Sequence, residues 1–178
     1  LNVLELSAVR ENPSDRCYHC KNAIFSRILE AAEKDGFQEV MDGTNASDDA
    51  GDRPGMRALR ELAVRSPLRE CGLTKDEIRR LSREAGLFTW DKPAYACLAT
   101  RIPTGQPITA RDLAVTEAAE MYLFSLGFTD FRVRLAGRSA KIQLPAAQMP
   151  HLLEHRQEIL DRLGQDYDAV WLDLEARA

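Results

Sequence analysis

The sequence has no apolar run of membrane-spanning length, and its amino end, Leu1 to Arg10, lacks the basic start and long apolar stretch of a signal peptide. These absences predict a soluble, cytoplasmic protein without a membrane partner. There is also no large charge of either sign. With 24 Lys and Arg against 28 Asp and Glu, the formal net charge is -4, which gives no broad basic field, so nucleic acid held mainly by its phosphates is not expected. Any anion site must be local. Four cysteines in 178 residues are too few for a disulfide scaffold. Two of them form a C-x-x-C pair, which in a reducing compartment points to metal or redox work. No internal repeat and no low-complexity tract occurs.

What is present is enough apolar material, 44% of residues, for a packed core in one ordinary domain or two small ones. Leu1 to Leu6 reads as a short strand, and the chain opens like the continuation of a longer one. Asn12-Pro13-Ser14-Asp15 is a turn and helix entry. Ile24, Phe25, Ile28, Leu29 and Ala32 then recur at helical spacing until Asp35-Gly36, and Phe37 to Met41 reads as a short buried strand. Asp42 through Gly55, rich in turn formers, predicts a surface loop of the kind that carries function. Met56 to Ala63 is a helix and Val64 to Leu68 an extended piece. Thr74 and Glu77 predict a capping box for the next helix, with Gly86 as its stop.

From Trp90 to Pro107 the periodicity fails and the prolines forbid a long helix, giving a long loop or hinge. Thr109 opens a helix to Leu126. Phe131 to Arg134 and Ala140 to Leu144 alternate like a hairpin pair, Met149 to Leu163 is one further helix, and Ala169 to Leu174 a last strand. The fold class is α/β, with an α/β domain over 1–103 and a small α+β module over 104–178.

The chemistry sits in a few stretches. Cys17-Tyr18-His19-Cys20 stands at a predicted helix start, where residues i and i+3 share a face and the dipole favours thiolates. The pair can grip one metal, serve as half of a zinc clip, or be two inert thiols. His19 is expected to be an exposed helix-start residue. Cys97 lies among cationic neighbours, Lys92 and Arg101, that favour a thiolate and an anion, although a half-buried cysteine beside solvated charges fits the same pattern. Cys71 has no such setting and is read as structural. Arg132 and Arg134 alternate along one strand face and on that ground alone would face water. Trp90 fits either a core or a stacking role.

Several motifs in register resemble the LarE family of PP-loop ATP pyrophosphatases. They are Asn12-Pro13-Ser14-Asp15-Arg16-Cys17-Tyr18-His19-Cys20-Lys21, Asp42-Gly43-Thr44-Asn45, Asp52-Arg53-Pro54-Gly55, Arg65-Ser66-Pro67-Leu68, Gly72-Leu73-Thr74-Lys75, and Trp90-Asp91-Lys92-Pro93 through Ala96-Cys97-Leu98-Ala99-Thr100-Arg101. Leu126-Gly127-Phe128 and Arg132-Val133-Arg134 resemble the family's carboxyl-terminal module.

The resemblance implies a PP-loop domain lacking its amino-terminal part. The implied reaction is ATP-dependent, with Mg balancing the phosphates. ATP adenylylates a carboxylate of a pyridinium dicarboxylate mononucleotide, and a protein-held sulfur displaces AMP to leave a thiocarboxylate for the nickel-pincer nucleotide cofactor. Family members with one cysteine at the position of Cys97 sacrifice its sulfur. Those with the additional pair hold a four-iron, four-sulfur cluster on three thiolates, here Cys17, Cys20 and Cys97. Zinc on the same thiols is the alternative ligand. Gly43, Thr44, Asn45, Asp48 and Arg53 are implied on the nucleotide side, and Arg101, Arg132 and Arg134 near a bound phosphate. A homo-oligomer is expected.

Two departures stand out: no Ser-Gly-Gly-x-Asp-Ser pyrophosphate loop occurs in these residues, and Gln143 stands where the family has Glu. A tRNA-thiolating PP-loop enzyme and a non-catalytic zinc-binding module are the competing readings.

Overall fold

A computed structural model describes residues 1–48 and 53–177. Residues 49–52 of the expected surface loop, Asp52 of the motif among them, lie outside the described residues. The chain forms two compact units, Leu1–Lys92 and Pro93–Ala178. The division falls at a proline ahead of the expected 103/104 boundary, so Cys97 and Arg101 fold with the second unit.

The first unit opens with a 3-10 turn, Val3–Glu5, and helix α1, Ser7–Arg10, in place of the expected strand. The Asn2 side chain accepts the Leu4 amide at 3.2 Å, so a local cap takes a donor that a strand would offer to a neighbour. Asn12, at φ 54° and buried, makes the sharp turn for which Asn is suited. Helix α2, Arg16–Lys34, follows where the turn signal placed it, and Gly36, at φ 81°, closes its end. Phe37 to Met41 is not the expected buried strand. Only Met41 bridges to Arg65, and Phe37 and Met41 are 68% and 55% exposed. Gln38 and Glu39 interrupt that apolar run and keep the segment at the surface.

Helix α3, Pro54–Glu61, starts on a proline that costs no helical hydrogen bond there, and it packs on α2 through Gly55, Ala58 and Leu59. Helix α4, Pro67–Glu70, adds one turn to the piece expected to be extended. Helix α5, Lys75–Glu84, has both halves of the predicted capping box: the Thr74 hydroxyl accepts the Glu77 amide, and the Glu77 carboxylate accepts the Thr74 amide at 2.8 Å.

In the second unit a loop containing the 3-10 turn Leu98–Arg101 leads to helix α6, Ala110–Ser125, capped by Thr109. Strands β1, Arg132–Ala136, and β2, Ser139–Gln143, form the predicted antiparallel hairpin. Val133 faces Ile142 and Leu135 faces Ala140, so the buried apolar side chains of both strands share one face. The helix expected over Met149 to Leu163 is two, α7, Met149–Glu154, and α8, Arg156–Leu163, broken at His155, whose ring packs against His151 and Phe128. Strand β3, Val170–Leu172, pairs with β2 in parallel, giving the order β1-β2-β3. The sheet's inner face packs with Leu123, Phe128, Phe131, Ile159 and Leu163 as the unit's core. The mixed helix and strand content fits the α/β class. No helix among the described residues is long and apolar enough to cross a membrane.

Candidate functional site

Helical spacing builds one wall of a cavity in the first unit. Cys17 lies in the first turn of α2, and Lys21, one turn later, lines the same cavity of about 530 Å³. The opposite wall is the loop carrying Asp42, Gly43, Thr44 and Asp48, together with Arg53 at the start of α3. Gly55 sits so close beneath that an added Cβ would stand 3.1 Å from the Lys21 side chain and 3.7 Å from the Cys17 Cβ. A larger residue there would make the Lys21 side chain shift by a few tenths of an ångström, so glycine lets α3 lie close against this face of α2. Cys17 is exposed, and the Arg16 guanidinium donates towards its Sγ at 3.5 Å. Cys20 is half-buried on the same helix. His19 pairs with Asp15 at 3.3 Å, as a helix-start residue should.

Asp42 organises the loop. Its carboxylate accepts the Thr44 hydroxyl at 2.5 Å and the Ser66 hydroxyl at 2.7 Å. Burial alone would push this carboxyl up, but the bonds from Thr44 and Ser66 and the charge of Lys21 outweigh it, and Asp42 ends below the ordinary carboxylate range. An ionised Asp42 and an ammonium at Lys21 thus face one another. Asn45 gives its amide to Asp48 at 3.0 Å and lines a neighbouring cavity. Lys21 and Asp42 were not singled out from the sequence, although Lys21 stands four residues after Cys17, a spacing that signals a shared helix face.

The second unit carries Cys97, exposed on its loop. The loop is held from beneath. Arg101, with its side chain fully buried, forks onto Glu120 of α6 through Nε–Oε1 at 2.8 Å and Nη2–Oε2 at 3.0 Å. Its remaining nitrogen donates to the Ala96 and Cys97 carbonyls at 3.1 and 3.3 Å and to the Thr100 hydroxyl at 2.9 Å. Glu120 also accepts the Tyr95 hydroxyl at 2.7 Å and the Val133 amide at 2.9 Å. Burial and this bond to an anion push the Tyr95 phenol up to about 12.

Arg132, 5% exposed, donates to the Ala94 carbonyl at 2.6 Å. Its burial, with the charges of Arg177 and Arg101 nearby, lowers its affinity for the proton. Arg134 is exposed and donates to the Thr100 carbonyl at 2.8 Å and to Gln143. The Gln143 amide in turn donates to Asp173 at 2.7 Å, and Lys141 reaches the same carboxylate.

Arg101 and Arg132 are therefore engaged with loop carbonyls and Glu120, while Arg134 projects outward. Tyr95, Glu120 and Asp173 gave no sequence signal, since each depends on partners far along the chain. Cys71, read as structural, is exposed at the end of α4. Trp90 is half-buried under the Arg83 guanidinium, 4.8 Å from its ring centre. Among the described residues, neither unit by itself gathers three or more His, Cys, Asp or Glu side chains closely enough to hold a metal ion.

No family model matches the chain. Curated relatives do. The chain is 40% identical over 80% of its length to an uncharacterized protein of Synechocystis sp.. It is 36% identical over 98% of its length to the pyridinium-3,5-bisthiocarboxylic acid mononucleotide synthase of Lactiplantibacillus plantarum, and 29% identical over 94% to an uncharacterized protein of Methanocaldococcus jannaschii. It spans 53%, 63% and 65% of the lengths of these three relatives. Over 98% of its length, then, this chain is similar to a pyridinium-3,5-bisthiocarboxylic acid mononucleotide synthase, a likeness that supports the LarE-family resemblance of its motifs.

Proposed function

We propose that the chain belongs to an ATP-dependent sulfur transferase of PP-loop fold. It would convert an adenylylated carboxylate of a pyridinium dicarboxylate mononucleotide into a thiocarboxylate during nickel-pincer nucleotide synthesis. The observation that carries this reading is that Cys17 opens into the same cavity as the Asp42-Gly43-Thr44 loop, Lys21 and Arg53. A sulfur atom and an anion-facing wall thus meet within one unit, and the synthase relative matches over nearly the whole chain.

Residues 1–103 would handle the nucleotide and 104–178 the substrate and the homo-oligomer contacts, in the cytoplasm. Lys21 and Arg53 offset phosphate charge, Gly43 and Thr44 shape the loop around the nucleotide, Asn45 braces that loop through its amide bond to Asp48, and Asp42 and Asp48 are the carboxylates available to the Mg that accompanies ATP. Attack by the carboxylate on ATP releases pyrophosphate. Sulfur then attacks the acyl carbon, and the carbon–oxygen bond to AMP breaks.

Cys17, Cys20 and Cys97 are the thiols that would hold an iron–sulfur cluster, whose chemistry is to present a transferable sulfide. The donor chemistry fits: three accessible or half-buried thiols, two on one helix face and one on a braced loop. Arg101 is here a positioning residue for the Cys97 loop, and Arg134, exposed beside it, is the arginine placed to meet a substrate phosphate, with Arg132 holding the loop at Ala94.

The reading is tested by incubating the protein with ATP, Mg, sulfide and the dicarboxylate mononucleotide under anaerobic conditions and following oxygen-for-sulfur exchange by mass spectrometry. Transfer by the wild type and by Cys71→Ala, with none by Cys97→Ala, is expected. Equal transfer by wild type and Cys97→Ala removes Cys97 from the reaction.

A further inference from the structure

Next to the cavity that Cys17 lines is a smaller one of about 230 Å³, between α5 and the Thr89 to Lys92 segment. Gly43 lines both, and Asn45 lines only the smaller. Its wall carries Lys75, Arg79 and Lys92, with Ser82 and Trp90 and no carboxylate, in a chain whose net charge is -4. Helical i, i+4 spacing sets Lys75 and Arg79 on one face of α5.

The neighbouring Arg80 is neutralised by Glu84 at 2.7 Å, whereas Lys75, Arg79 and Lys92 have no acidic partner among the described residues. Arg79 gives one donor to the Lys92 carbonyl at 2.7 Å, which ties the segment to the helix and leaves the rest of the guanidinium uncommitted. The Trp90 ring is fixed from outside by Arg83. The Lys92 ammonium also lies 4.9 Å from the Phe88 ring centre. Three cations without an acidic partner, around a hollow that Leu68 and Ile78 also line, are a local excess of positive potential. The forked Arg79 guanidinium, with the Lys75 ammonium one helical turn away, suits the several oxygens of a phosphate.

We infer that this hollow is an anion site for the phosphate of a small phosphorylated ligand, separate from the cavity that Cys17 lines and independent of the sulfur-transfer reading. Its size suits one phosphate group with the Trp90 ring alongside, and the acidic balance of the chain disfavours a nucleic-acid backbone as the occupant.

Inorganic phosphate and adenosine monophosphate are each titrated against protein carrying Trp171→Phe, in which Trp90 is the remaining indole. A saturable change in Trp90 fluorescence is expected with both. Adding Lys75→Ala and Arg79→Ala should weaken binding tenfold or more. Lys75→Ala alone should weaken it severalfold, with an unchanged melting temperature, because the Lys75 side chain makes no bond among the described residues. Arg80→Ala, on the same helix but paired with Glu84, should leave the affinity where it was. Unchanged affinity in the double variant, a loss with Arg80→Ala equal to that in the double variant, no saturation by either ligand, or a response to single-stranded RNA alone would each overturn the inference.

Discussion

Arg101 and Glu120 form a fully buried, two-pronged ion pair directly beneath the loop that carries Cys97. The guanidinium satisfies carbonyls of that loop, and the carboxylate satisfies Tyr95 and the β1 backbone, so each charge is matched from several sides. Removing one partner leaves the other charge buried. Glu120→Ala should therefore cost about 3–5 kcal/mol of stability by denaturant unfolding. Replacing both charges with apolar residues of similar volume should cost much less while loosening the Cys97 loop, read as faster alkylation kinetics that no longer track global stability.

Tyr95 supplies a pH signature of the same network. Its phenol is raised to about 12, so the folded state holds this proton more tightly than the unfolded chain. The resulting stabilisation is complete below the ordinary tyrosine value near 10 and is lost as pH rises through about 12. The late phenolate absorbance at the end of an alkaline titration, to which Tyr18, Tyr122 and Tyr167 with their raised values also contribute, should shrink by one phenol in Tyr95→Phe, and that variant's stability should fall less between pH 10 and 12 than the wild type's.

Asp42 behaves in the opposite sense. Its folded-state value is lowered, so its contribution is present above the unfolded value of 3.8 and is lost as pH falls through the folded one. Thr44→Val removes one of the hydrogen bonds responsible. The stability difference between wild type and Thr44→Val should be constant near neutrality and shrink as pH drops below about 4, measured by urea unfolding across a pH series. A difference that grows in acid would contradict the assignment.

Much of the frame was legible because it is local. Thr74 with Glu77, and Thr109, announced helix starts through caps that need only nearby residues, and the alternation in β1 and β2 reported a face that is in fact buried. Phe37 to Met41 and Leu1 to Leu6 misled because short apolar runs look alike whether a neighbouring strand exists or a local cap wins, as Asn2 does. On strand alternation alone Arg132 would share a solvated face with Arg134, yet it is buried, since the Ala94 carbonyl, 38 positions earlier, captures it. Arg101 likewise looked like a free cation because its partner, Glu120, lies 19 residues away on another element. Such pairings have no signature in spacing.

Gln143 acts as a two-way amide, accepting from Arg134 and donating to Asp173. A glutamate could keep the first bond but not the second. The Asp173 carboxyl is held low chiefly by Lys141 and secondly by Gln143. In Gln143→Glu, with two carboxylates side by side, Asp173 should titrate at higher pH by carboxyl-carbon NMR. An unmoved or lower value would show that the amide bond plays no part.

The central claim is that Cys17, Cys20 and Cys97 act together on sulfur. Iron and acid-labile sulfide, quantified in anaerobically purified protein and in each single cysteine variant, test it most directly. The account predicts both in the wild type and in Cys71→Ala, and loss of both in Cys17→Ala, Cys20→Ala and Cys97→Ala. Zinc without sulfide, or a Cys97→Ala protein that retains its iron and sulfide in full, would contradict it.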